Sequence, residues 1–357
     1  MRRLTQLSAV AVVAALALTG CGSDTQDGGG ANDASNDLCK SAKGDGPKIG
    51  LAYDVGGQGD QSFNDSAYAG LEKAVGEFSA TCVEGEAVDG EAESAREDRL
   101  RQMADGGATA VIGVGFAYSE SINKVAPDYP DVNFAVVDGF DPDEEANENV
   151  AYLGFAEEQG SFLVGVAAAQ TTKSDTVGFV GGVNNDLIKK FEAGYVAGVK
   201  AAKPDVEVLV NYIEQSNLKG FADPAGGKSA ATGQFDEGAD VVYHAAGGSG
   251  SGVFDAAVDA GDGKWAIGVD SDQWKTATEE QKPHILTSML KRVDTATYDF
   301  IQSVDGGEPL TSYQVYDLKA DGVGYSTSGG FIDDLTGDID GFKEKIISGD
   351  TKVPTKP

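Results

Sequence analysis

The sequence predicts an α/β protein of two similar lobes, each a mainly parallel sheet covered by helices. Three observations carry that expectation. Residues 49–70 read as a short apolar strand, a glycine-rich turn and a helix, the opening of a parallel βαβ fold. Beyond them strands and helices alternate with little else, the pattern of a sheet covered on both faces. The pattern then restarts near Gln159 and brings a second set of glycine turns, although no internal repeat is strong enough to prove duplication.

The opening strand is Ile49-Gly50-Leu51-Ala52-Tyr53, and its turn runs from Asp54 through Gly56, Gly57 and Gly59 to Asp60. Ser62 is the expected N-cap of the helix, with Ala67, Leu71, Ala74 and Val75 on one face. Ligands of such folds bind at the carboxyl ends of strands, where this turn lies. Glycines there can bring backbone close to a pyrophosphate. However, Asp54, Asp60 and Asp65 crowd the mouth, and no Lys or Arg stands between Lys48 and Lys73. Carboxylates repel phosphate and accept from hydroxyl or N–H donors. With Phe63 beside them, they favour a neutral ligand carrying a ring and donors.

Further strands are expected over residues 81–88, 110–115, 133–138 and 149–155, the last a candidate to cross between lobes. Helices are expected over 94–105 and in the stretch leading to Pro130. The second half repeats the scheme with an apolar helix over 159–171, a strand and glycine turn over 176–182, and a helix over 189–203. Strands follow at 207–213, 240–245 and 264–269. The turn Gly247-Gly248-Ser249-Gly250-Ser251-Gly252 opens another helix. Asp138 and Asp270 each stand at the carboxyl end of a strand.

Ahead of this body, Arg2 and Arg3 precede an apolar run from Leu7 to Leu18, too short to span a bilayer and built like an export signal over residues 1–20. Leu18-Thr19-Gly20-Cys21 fits a bacterial lipobox, so Cys21 is the expected lipidation site and new N-terminus. Acyl chains there would hold the domain at the outer face of a membrane. Residues 21–46, with Gly28-Gly29-Gly30, are expected to be a flexible tether. The remaining cysteines, Cys39 and Cys82, are an even pair in an exported chain, and a disulfide between them is expected.

The whole chain has 27 Lys+Arg against 58 Asp+Glu, a net charge of −31. That balance argues against nucleic acid and anionic lipid surfaces as partners. The two histidines, His244 and His284, accompany no nucleophile–base pair, zinc spacing or complete dinucleotide fingerprint. An enzyme is therefore not expected, nor a cofactor or metal. Nothing before Lys48 resembles a DNA-binding helix-turn-helix.

The pattern Asp54-Val55-Gly56-Gly57, Asp60-Gln61-Ser62-Phe63-Asn64, Gly70-Leu71-Glu72-Lys73 resembles the signature of the basic membrane protein family of substrate-binding lipoproteins, which includes purine nucleoside receptors of ABC transporters. Gly113-Val114-Gly115-Phe116, Phe134-Ala135-Val136-Val137-Asp138, Gln159-Gly160-Ser161-Phe162-Leu163, Gly178-Phe179-Val180-Gly181-Gly182, Gly268-Val269-Asp270-Ser271-Asp272 and Met289-Leu290-Lys291-Arg292 follow in the same order. The resemblance implies the type I periplasmic-binding-protein fold. Its first lobe is expected over residues 47–152 plus 271–305, and its second over 153–270 plus 306–350. It implies a monomer that closes on a nucleoside and is recognised by permease subunits.

Carried over by motif, Phe63 and Phe191 would sandwich a base, and Asp54 would accept from its ring N–H or amino group. Asp138 and Asp270 suit ribose hydroxyls, and Lys291 would donate to a ribose oxygen. Asn64, Phe116, Gly247 and Trp274 are weaker candidates. Each aspartate could instead be a helix cap and each Phe a core residue. A sugar or a signalling metabolite would use similar groups.

Overall fold

The computed structural model describes residues 38–140 and 147–357. The expected leader, Cys21 and most of the tether lie outside the described residues. The chain begins with a helical turn, α1 (Leu38–Ser41), then β1 (Lys48–Tyr53), α2 (Phe63–Phe78), β2 (Thr81–Glu86), α3 (Glu93–Asp105), β3 (Ala110–Val114), α4 (Ser119–Val125), β4 (Asn133–Val137) and β5 (Val150–Phe155). The second half adds α5 (Glu157–Thr171), β6 (Thr176–Val183), α6 (Asp186–Ala202), β7 (Glu207–Glu214), α7 (Pro224–Asp236), β8 (Val241–Ala245), α8 (Gly250–Ala260), β9 (Trp265–Asp270) and the short α9 (Gln273–Thr276). Then come β10 (Ile285–Lys291), α10 (Val293–Asp305), β11 (Ser312–Tyr316), β12 (Val323–Tyr325) and α11 (Thr336–Ile347).

The strands form two six-stranded sheets, ordered β11-β5-β4-β3-β1-β2 and β12-β10-β9-β8-β6-β7. All pairs are parallel except β10 with β12. Each sheet carries the same doubly wound order, in which the first strand lies between the second and third. The two lobes therefore share a topology, as the restart in the sequence implied.

The lobe boundaries differ from the expected ones at two strands. β10 lies in the second sheet, and β11 adds to β5 at the edge of the first. α10, following β10, returns to pack on α2 of the first lobe, where Tyr298 stacks obliquely on Phe78. The chain thus crosses between lobes three times, after β5, after β10 and after β11. Apolar periodicity marks a buried strand but not the sheet that receives it, so sequence order alone misassigned these pieces. β5 itself stays in the first sheet.

The end of the expected tether is also part of the lobe. Cys39 and Cys82 form a disulfide, and the Gly46 N–H donates to the Ser79 carbonyl. In the second lobe, a Cβ added at Gly194 or Gly198 would fall within 2.1 Å of α5 backbone oxygens. Those two glycines let α6 lie directly on α5, and this fixes Phe191, one turn earlier on α6, at the mouth of the cleft.

Candidate functional site

The first lobe builds its side of the site at the switch point between β1 and β3, where an open α/β sheet leaves a crevice. Asp54 follows β1, and its Oδ1 accepts from the Val55 N–H at 2.8 Å. Its Oδ2 lies where a side chain at position 115 would stand, 2.3 Å from a Cβ built there. Gly115, at φ 104°, leaves that space. Phe116 follows in a single turn of tighter helix.

The other acidic residues of this mouth are spent on the backbone. Asp60 accepts from the N–H groups of Ser62, Asn64 and Asp65, at 2.9, 2.9 and 3.2 Å. Asp65 accepts from Gly59 and Gln61. Asp60, not the expected Ser62, thus caps α2, where a carboxylate also meets the positive end of the helix. Ser62 stands at the N-cap position, but its hydroxyl reaches across the lobes to Asp270 Oδ2 at 2.6 Å. Of the three crowding aspartates, Asp54 keeps an oxygen for the cleft.

Asp138 and Asp270 follow β4 and end β9, at φ 60° and 64°. This left-handed backbone, uncommon outside glycine, turns each chain sharply at the sheet edge. Neither aspartate caps a helix. Lys291 ends β10, and its ammonium lies 2.7 Å from both oxygens of Asp138 and 3.4 Å from Glu157 Oε1. The Lys291 and Asp138 side chains are only 2% and 4% exposed, so this ion pair between lobes is buried. The same ammonium lies 5.1 Å from the ring centre of Phe63, 5.0 Å from Phe155 and 5.4 Å from Phe191.

These groups line a cleft between the lobes, a domain-interface position where small-molecule sites are commonly found. Asp54, Phe63, Asn64, Phe116, Asp138, Phe191, Gly247, Asp270 and Lys291 all line it. Trp274 does not. It packs in the second lobe, with the Lys282 ammonium 5.2 Å from its ring. Phe221 and Glu157 were not legible as site residues. Phe221 comes from an irregular turn after β7 and lines the second lobe's side. Glu157 opens α5 and bonds Lys190 as well as facing Lys291. A lone Phe in a polar loop and one acid among many carry no sequence signal.

Burial governs the ionisation of the cleft. It pushes Asp54 up to about 6, against the Val55 N–H bond. It pushes Asp60 to about 7, against the N–H bonds it accepts. Asp138 is raised to about 6 by burial, with the Lys291 charge opposing. Burial also raises Asp270. For Lys291 burial acts downward, but Asp138, Glu157 and Asp270 outweigh it and hold the ammonium above its ordinary range. His244, wholly buried in β8, is pushed down to about 3 by burial and stays neutral.

Two matching α/β lobes, three crossings and a buried polar cleft between them are the architecture of a solute-binding protein. Residues 48–356 match the family described as ABC transporter substrate-binding protein PnrA-like (Bmp). A CD4+ T-cell-stimulating antigen of Listeria innocua is 35% identical over the full length of both chains. The ABC transporter nucleoside-binding protein BmpA of Lactococcus lactis subsp. cremoris is 32% identical over 99% of each. Among solved structures, a solute-binding protein of an Aeropyrum pernix ABC transporter system superposes with TM-score 0.75 at 29% identity, covering 87% of this chain and 93% of that one. The chain belongs to the Bmp family and is the substrate-binding protein of an ABC transporter.

Proposed function

We propose that the chain is an extracytoplasmic lipoprotein that captures a purine nucleoside for an ABC importer. One observation carries this reading: Phe63 of the first lobe and Phe191 of the second approach the same point of a closed, carboxylate-lined cleft. A flat base between two phenyl faces gains on the order of 1 kcal/mol or more from each contact. Asp54 is the acceptor for the base. Asp138, Asp270 and Lys291 meet the ribose, whose hydroxyls can donate to carboxylates and accept from the ammonium.

The charge balance supports a nucleoside over a nucleotide. Among the described residues Lys291 is the one basic residue lining the cleft, and Asp138 and Glu157 already neutralise it. A phosphate would find carboxylates and no free cation. The printed name of the Lactococcus relative points the same way.

In this reading the export signal is removed, Cys21 is acylated, and a monomer is held at the outer face of the cell membrane. The closed form is what the permease subunits recognise. Among the described residues no helix is long and apolar enough to cross a membrane, and anchoring rests on the lipid.

The test is mass spectrometry of small molecules released on denaturing freshly purified protein, followed by titration calorimetry. Release or binding of inosine, guanosine or adenosine supports the reading. A protein that releases a sugar, or binds sugars and ignores nucleosides, overturns it. Labelled palmitate that still enters a Cys21→Ala variant overturns the anchor.

A further inference from the structure

The Asn64 side chain sits between two groups of opposite demand. Its Oδ1 accepts from the Asp54 backbone N–H at 3.0 Å. Its Nδ2 donates to Asp60 Oδ2 at 3.1 Å. A backbone N–H can only donate and an ionised carboxylate can only accept, so both partners select the same orientation of the amide. Asn64 is 2% exposed, and it lines the cleft. Turning the amide over would place its carbonyl against Asp60 and its NH2 against an N–H, two unmet polar contacts in a buried place.

We propose that Asp60 is a positioning residue that locks the polarity of Asn64, so that the first-lobe end of the cleft offers one N–H donor beside one carboxylate acceptor, Asp54. The Asn64 oxygen is occupied, and one amide hydrogen remains for a ligand. Asp54 Oδ1 is held by Val55, and Oδ2 remains to accept. The complementary ligand is a heterocycle whose edge sets an acceptor next to a donor. An oxo group beside a ring N–H satisfies this. A ring edge with two acceptors does not. This rests on the nucleoside reading above and adds the rule by which the base is chosen.

The test uses inosine and its methoxy analogue, in which the ring N–H is lost and two acceptors remain. At about pH 8 Asp60 is ionised. Inosine is expected to bind the intact protein at least about tenfold more tightly than the analogue, because a site built for hydrogen bonds rejects a ligand lacking one. Equal binding of the analogue overturns the proposal.

A second measurement needs no ligand. Asn64→Asp alone sets two carboxylates face to face and should lower the melting temperature. Adding Asp60→Asn relieves the repulsion between the two carboxylates, although its NH2 then also meets the backbone N–H of residue 64, and should recover part of the loss. In that double variant inosine affinity should still fall at least about tenfold, because the cleft now presents two acceptors. No recovery in the double variant, or full inosine affinity in it, overturns the locked polarity. Should the intact protein bind neither compound, the nucleoside reading fails, and the melting cycle still decides the role of Asp60.

Discussion

The Asp138 carboxylate of the first lobe holds the Lys291 ammonium of the second at 2.7 Å, in a place where neither side chain sees water. Opening the cleft must break this pair. Glu157, on the same lobe as Lys291, then keeps the ammonium from being left alone. Removing the cation from a buried cluster leaves carboxylates uncompensated, a loss of roughly 3–5 kcal/mol in comparable pairs. Lys291→Met is therefore expected to lower stability on that scale and to weaken ligand binding by more than about a hundredfold. Denaturant unfolding and calorimetry check it. A variant of unchanged affinity would place Lys291 outside the site.

Phe63→Ala and Phe191→Ala test the two faces of the proposed sandwich. Each should weaken nucleoside binding by about tenfold or more, given about 1–3 kcal/mol for stacking a base on an aromatic ring. Phe191 is 3% exposed and also packs into its lobe, so its variant should lose more stability than Phe63→Ala. A loss of affinity confined to Phe191→Ala would leave no sandwich.

The cleft acids set a pH dependence. Asp54 and Asp138 are raised to about 6 and Asp60 to about 7. A carboxyl that binds its proton more tightly when folded favours the folded state more as it becomes protonated, so its contribution to stability rises as pH falls through that range. The ligand-free protein is expected to melt at a higher temperature at about pH 5 than at about pH 7. Nucleoside affinity should move the other way, since a protonated Asp54 is a poorer acceptor. Melting scans and titrations across that interval check both. A falling melting temperature would show that these carboxyls are not strained by burial.

The bridge between Cys39 and Cys82 closes a loop of 43 residues. The entropy of such a loop corresponds to about 4 kcal/mol at most. Paired Cys39→Ser and Cys82→Ser substitutions should lower the unfolding midpoint and leave ligand affinity unchanged, because Cys82 lies near the start of β2, at the end of the first sheet opposite the cleft. Thiol titration of unfolded, unreduced protein should find neither cysteine free. Two free thiols would remove the bridge.

Local chemistry was enough for much of this protein. Apolar runs ending in Asp54, Asp138 and Asp270 are strands because a buried parallel strand needs apolar residues throughout, and an acid must stand where the sheet opens to the cleft. Glycine turns after such strands located the ligand-facing ends, and nine of the ten ligand-facing candidates line one cavity, Trp274 being the exception. Tertiary structure decided what depends on direction and pairing. It placed β10 in the second sheet and β11 in the first, a choice that hydrogen-bond partners make and hydropathy does not record. It also divided three similar aspartates into one that faces the cleft and two that cap backbone. That division follows from where each carboxylate lies relative to the N–H groups of the turn and of the first residues of α2, and those positions exist only once the helix and the strand before it have met.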